Sequence, residues 1–244
     1  MTLAEHLEEL RRRLAVSLLA VVVGSCAGFA LAGRVLEWLK RPAGSLLPQL
    51  AFFSPTEALC AYVRVAVTLG VVVALPVVLY EVWGFIESAL TRTERVYGRL
   101  FVWLGSALFA AGAAFAYAAL LPVSLRMLLT IGGPSLMPMI SVGRYLSFVL
   151  GLMIACGAVF ELPLIIVLLT KLGVVTPTLL RQQRGVAIVI ILVIAAVVTP
   201  TTDALNLMLM ALPLVVLYEL SILLSRFARP TPPPARGCAA AASR

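Results

Sequence analysis

Charge is what this 244-residue chain has least of: 19 Lys and Arg and 11 Asp and Glu make up 12% of it, against 62% hydrophobic residues. A soluble domain of this size cannot cover its surface with so few charges, which excludes a soluble enzyme, a nucleic-acid domain and a disordered chain together. There is one histidine, His6, and one aspartate, Asp203. Neither a His-Glu-x-x-His zinc site nor a Ser/His dyad within the membrane can be built from that, and a paired-aspartate protease is excluded too. The four cysteines (Cys26, Cys60, Cys156, Cys238) follow no C-x-x-C spacing and offer neither a metal nor a disulfide framework. A Gly-rich phosphate loop is also missing. The expectation is a protein without metal, cofactor or catalytic residues.

What the chain does have is long apolar runs. Cutting at charges gives six: Leu14 to Gly33, Val65 to Tyr80, Leu100 to Leu121, Tyr145 to Thr170, Val186 to Val198 and Ala204 to Leu224. Runs near 20 residues cross a hydrocarbon core of about 30 Å as helices. An even number places both termini on one side. With the termini in the cytoplasm, 13 of the 19 basic residues lie there and 6 outside, the split expected of a membrane protein. The net charge of +8 therefore reports topology and no nucleic-acid partner.

The expected fold is an all-α integral membrane protein, six transmembrane helices in a curved bundle in the cytoplasmic membrane. Residues 1–13 form a cytoplasmic amino-terminal segment, 14–226 the membrane domain and 227–244 a disordered cytoplasmic tail. Pro76, Pro122, Pro163 and Pro213 are expected to bend their helices. Val186 to Val198 spans only about 20 Å. A matching helix of about 14 residues from Asp203 reaches Tyr218 and Glu219 at the interface, so the last two helices form a short hairpin and Ser221 to Arg226 projects into the cytoplasm. Ala107, Ala111, Ala114 and Ala118 make a small-residue stripe suited to close helix packing. Arg11, Arg12 and Arg13 before an apolar run imitate a cleavable leader, but the run is long and Glu5, Glu8 and Glu9 mix the charge, so it reads as a retained first helix.

With acids so scarce, each one is informative. Glu5, Glu8, Glu9, Glu81, Glu87 and Glu94 fall on the cytoplasmic side, where the topology rule favours basic residues. Glu37 and Glu57 lie outside, and Asp203 is in an outer turn. Glu161 alone lies within a span, about 14 Å from its cytoplasmic end. A charge at the bilayer centre costs on the order of 3 kcal/mol or more, so Glu161 is read as functional. One reading makes it the proton site of an ion-coupled small-solute carrier, although no internal repeat supports that.

The sequence resembles the TatC family, the multispanning receptor of the twin-arginine protein translocase. The resemblance is carried by His6-Leu7-Glu8-Glu9-Leu10-Arg11-Arg12-Arg13-Leu14 and then by Phe53-Ser54-Pro55-Thr56-Glu57-Ala58. Pro76, Tyr80, Trp83, Phe85 and Glu94 follow, then Tyr145-Leu146-Ser147-Phe148 and Phe160-Glu161-Leu162-Pro163. Thr199-Pro200 with Asp203, Pro213 and Tyr218-Glu219 complete the order, from about residue 6 to 226.

The resemblance implies that the chain recognises twin-arginine signal peptides of folded cargo, associates with itself and organises TatA, or TatB and TatA, around it. It implies signal-peptide contact for Glu9, Arg11, Phe85 and Glu94, a polar site on a concave face for Glu161, and outer-side roles for Pro42, Phe53, Pro55, Glu57 and Asp203. The chemistry agrees, since adjacent guanidinium groups are met best by carboxylates beside an apolar contact. A plainer account balances Glu8 and Glu9 against Arg11, Arg12 and Arg13 at i, i+3 or i+4 along one helix, Glu8 with Arg12 foremost. Three features depart from the family pattern: Glu81 stands where glutamine is common, Glu87-Ser88 replaces a stretch that often includes proline after the aromatic, and the turn Thr199-Pro200-Thr201-Thr202-Asp203 is one residue longer.

Overall fold

A computed structural model describes residues 3–43, 50–87, 98–131, 139–199 and 203–227. Nine helices are named here: α1 (Leu3–Lys40), α2 (Pro55–Glu87), α3 (Gly98–Phe115), α4 (Leu121–Ile131), α5 (Val142–Phe160), α6 (Leu162–Lys171), α7 (Pro177–Gln182), α8 (Arg184–Val198) and α9 (Ala204–Phe227). Among the described residues the only β-type pairing is one parallel bridge between Ala51 and Ser141.

By length and apolarity five stretches are candidate membrane spans: Glu5–Lys40, Pro55–Ile86, Gly98–Thr130, Val142–Lys171 and Ala204–Ser225. The sixth apolar run appears as α8, with 15 residues too short to join them. The helices outrun the apolar runs because their charged flanks are good helix formers. At 38 residues α1 is about 57 Å long, nearly twice a hydrocarbon core.

α1 and α2 touch backbone to backbone. A Cβ built on Gly24 would lie 2.9 Å from the Gly70 carbonyl oxygen, and one on Gly28 would lie 2.9 Å from that of Ala66. Only glycine permits that approach, and such contacts are how helices associate where no hydrophobic effect operates. Most of the remaining α1 surface, including Leu14, Leu18, Val22 and Phe29, is exposed.

α3 and α5 meet in the same way, through Gly112 against the Cys156 carbonyl and Gly157 against the Phe109 ring. The alanine stripe does not make this contact. Ala107, Ala111, Ala114 and Ala118 all face outward, because the buried face of α3 is set by Phe101, Gly105, Phe109 and Gly112.

The prolines act unequally. Pro76 and Pro213 are absorbed inside α2 and α9. Ahead of Pro122 the helix widens into a single π turn over Ala116–Leu120, with Leu121 N–H donating to the Ala116 carbonyl. Ahead of Pro163 it breaks outright, and Glu161 both ends α5 and begins α6.

The final hairpin differs from its expected form. α8 is short, but α9 runs 24 residues and packs on α6 as well as α8. Ser221, Ile222 and Ser225, expected to project into the cytoplasm, are buried. Their apolar neighbours keep the helix packed beyond Glu219, which stays half-exposed and receives Arg184 at 2.9 Å. Tyr218 donates to the Leu180 carbonyl at 2.8 Å, tying α9 to α7.

The main core lies between α5, the π turn, α4 and α9, around Tyr145, Leu120, Leu121, Leu146, Met210 and Leu214. It also anchors the end of α1. The last carbonyls of a helix lack intrahelical partners. Here Trp38 and Leu39 offer theirs to the hydroxyls of Tyr117 and Tyr145, at 2.8 and 2.7 Å. The Tyr117 ring stacks on Trp38 with centroids 3.8 Å apart.

Candidate functional site

Polar side chains gather at three places. The first is where the start of α1 meets the end of α2. One helical face of α1 carries Gly24, Gly28 and Ala32 into the bundle, and the same face, read backward, brings Arg13 and Glu9 against α2. Arg13 donates from Nε and Nη2 to one oxygen of Glu9, at 3.0 and 2.7 Å. Its Nη1 reaches Glu81 Oε2 at 3.1 Å. Gly84 makes room for that reach, since any Cβ there would collide with the Arg13 guanidinium. The other Glu9 oxygen, Oε2, is buried and has no hydrogen-bond partner among the described residues. Beside this trio the rings of His6 and Phe85 lie 4.5 Å apart.

Of the expected peptide-contact residues, Glu9 and Phe85 are thus brought to one end of the molecule. Arg11 is exposed and stands outside the trio. Glu94 lies outside the described residues, as do Pro200, Thr201, Thr202 and the 228–244 tail. The helical pair is Glu9 with Arg13, one of the i, i+4 pairs expected along this helix; Glu8 and Arg12 are exposed. Reading from the residues alone offered Arg13 as a helical partner of Glu9 but missed its reach to Glu81 and the gap at Gly84. The spacing of Gly24, Gly28 and Ala32 held the signal, because that face continues back to residue 13 and not to 12.

The second place is the α5–α6 junction. Glu161 is buried, and neither carboxylate oxygen has a hydrogen-bond partner among the described residues. It lies over Gly105 of α3, where an added Cβ would come within 3.2 Å of Oε2 and crowd Leu79 and Leu164.

The third place is the opposite end of the bundle, where Pro55 opens α2. Glu57, three residues after Ser54, has the spacing of a capping box. Its Oε2 accepts the Phe53 N–H at 2.9 Å. Its Oε1 accepts the Gly143 N–H at 2.8 Å and the Ser141 hydroxyl, so one carboxylate from α2 holds the first turn of α5. Arg64 adds a bond to the Gly143 carbonyl at 3.0 Å. Pro42 sits in the short 3₁₀ turn after α1. Asp203 caps α9, accepting the Asn206 N–H at 2.8 Å.

Long apolar helices with few charges and close glycine contacts define a multispan helical membrane protein. The family model described as Sec-independent protein translocase protein (TatC) matches residues 5–213. The chain belongs to that family. A TatC protein of Aquifex aeolicus is 43% identical over 235 residues, 93% of this chain and 96% of its own length. One of Carboxydothermus hydrogenoformans is 36% identical over 230 residues, 94% of this chain and 95% of its own. A crystal structure of the twin-arginine translocase receptor TatC superposes with a TM-score of 0.77 at 40% identity, covering 91% of this chain and 99% of the other. A second, in DDM, gives 0.78 at 41% identity, covering 90% and 99%.

Proposed function

We propose that this chain is the signal-peptide receptor of a twin-arginine translocase in the cytoplasmic membrane. It crosses six times, α8 included, with both termini in the cytoplasm, and gathers TatA, with or without TatB, around itself. The basic residues, 13 to 6 in favour of the side holding the termini, support that orientation. On it, the junction of α1 and α2 faces the cytoplasm, where signal peptides arrive.

The observation that carries the reading is the guanidinium already seated between Glu9 and Glu81. A place that holds one arginine through two carboxylates, with a further carboxylate oxygen left over, has the chemistry needed to hold another. Phe85 supplies an aromatic surface for the residues that follow, and Glu94 and Arg11 flank the site in sequence. Pro42, Phe53, Pro55, Glu57 and Asp203 keep the far end in shape, and Glu161 offers a polar contact to a partner helix. Exposed Met208 and Leu212 on α9 belong to the surface where TatA docks.

Photocrosslinking of a twin-arginine peptide to the chain in native membranes tests the receptor reading. Glu9→Ala and Glu94→Ala are each expected to lower the yield severalfold with membrane insertion unchanged. Unaltered crosslinking in both variants sinks it.

A further inference from the structure

Arg13 occupies the carboxylate that a bound peptide needs. Both of its donors on the Glu9 side go to Oε1, while Nη1 reaches across the gap at Gly84 to Glu81 on the other helix. Side chains of the three are 17 to 25% exposed, so water and ligand both reach them. Two carboxylates against one guanidinium leave the trio one negative charge in excess, and Glu9 Oε2 has no hydrogen-bond partner among the described residues. An incoming guanidinium therefore has a charge to neutralise but finds the better half of Glu9 taken.

We propose that Arg13 is a built-in stand-in for the peptide's arginine, and that Glu81 with the Gly84 gap is where it retreats when the peptide takes Glu9. This deepens the receptor reading and rests on it. Arg13 keeps Glu9 aimed while the site is empty, through two bonds to Oε1. On binding, Glu9 exchanges one guanidinium for another and Arg13 passes wholly to Glu81. Charge balances in the exchange, because each arginine then faces one acid. Glu81 and Gly84 are positioning residues that act through Arg13, and Glu81 sets how easily Arg13 gives way. With glutamine at position 81 Arg13 has no charged alternative.

The test is equilibrium binding of a labelled peptide, carrying two adjacent arginines and an apolar segment, to the full chain in nanodiscs at raised ionic strength. Under those conditions charges not in contact are screened. Glu81→Gln and Gly84→Ala are each expected to weaken binding about three- to fivefold, the effect of one partly exposed ion pair. Gly84→Ala does so without changing any charge. Arg13→Gln is expected to tighten binding by a similar factor, and Arg13→Lys, which loses the planar fork, to fall between. In the Arg13→Gln background both other substitutions should lose their effect. A plain electrostatic or folding role would leave that effect in place. The proposal is overturned if wild type binds but Arg13→Gln weakens binding, or if Gly84→Ala acts equally with and without Arg13. If wild type itself does not bind, the receptor reading falls, and this proposal with it.

Discussion

Two glutamates at opposite ends of the same helical pair are satisfied in different ways. Glu57 is held by donors that cannot leave: two backbone N–H groups and the Ser141 hydroxyl, all fixed by the start of α2 and α5. Glu9 is held by Arg13, a flexible side chain with a second acid within reach, and keeps one oxygen without a partner among the described residues. A carboxylate pinned by backbone is architecture, because nothing in solution can replace its donors at equal cost. One pinned by an exchangeable guanidinium is available to a ligand of the same chemistry.

The substitution with the largest expected effect lies between the two ends. Gly70→Val forces α1 off α2 at Ser25, whose backbone nitrogen lies 2.5 Å from where a Cβ on Gly70 would be, and should cost about 1 to 3 kcal/mol as overpacking, with loss of peptide binding because Glu9 and Glu81 sit on different helices. Thermal unfolding in detergent together with peptide binding would register both. Glu57→Ala comes next: it leaves the Gly143 and Phe53 N–H groups without their acceptor and should destabilise by about 1 to 3 kcal/mol, with peptide binding preserved in the folded fraction. Loss of binding without loss of stability would erase the contrast drawn above. Glu9→Ala should do the reverse, changing the melting temperature little, since a partly exposed ion pair contributes about 1 kcal/mol at most, while reducing peptide crosslinking severalfold. Glu219→Ala, which breaks the exposed pair with Arg184, should move stability by only a few tenths of a kcal/mol and serves as the control.

The same contrast separates what the sequence made legible from what it did not. The five long apolar helices, the break at Pro163 and the isolation of Glu161 all follow from local composition and backbone chemistry. Glu57 was recognisable as part of a motif, but its hold on Gly143 joins residues 86 apart and depends on where α5 begins in space. The acidic patch was visible as a set of charges, yet which of the possible i, i+4 pairs faces α2 was not. One position along a helix turns a side chain by about 100°, so Glu8 and Arg12 face outward while Glu9 and Arg13 face α2. The outward alanine stripe on α3 failed for a related reason: periodicity identifies a face, and glycine opposite a neighbouring carbonyl decides which face packs.

The glycine contact between α1 and α2 also has a mechanical side. Helices whose backbones touch at Gly24, Gly28 and Gly70 neither slide nor roll past each other independently, so the pair behaves as one stiff lever about 50 Å long. Its short arm ends at Arg13. At its other end are the carbonyls of Trp38 and Leu39, gripped by tyrosines from the π turn and α5. Over that length a rigid tilt of a few degrees corresponds to a displacement of a few ångströms at the ends.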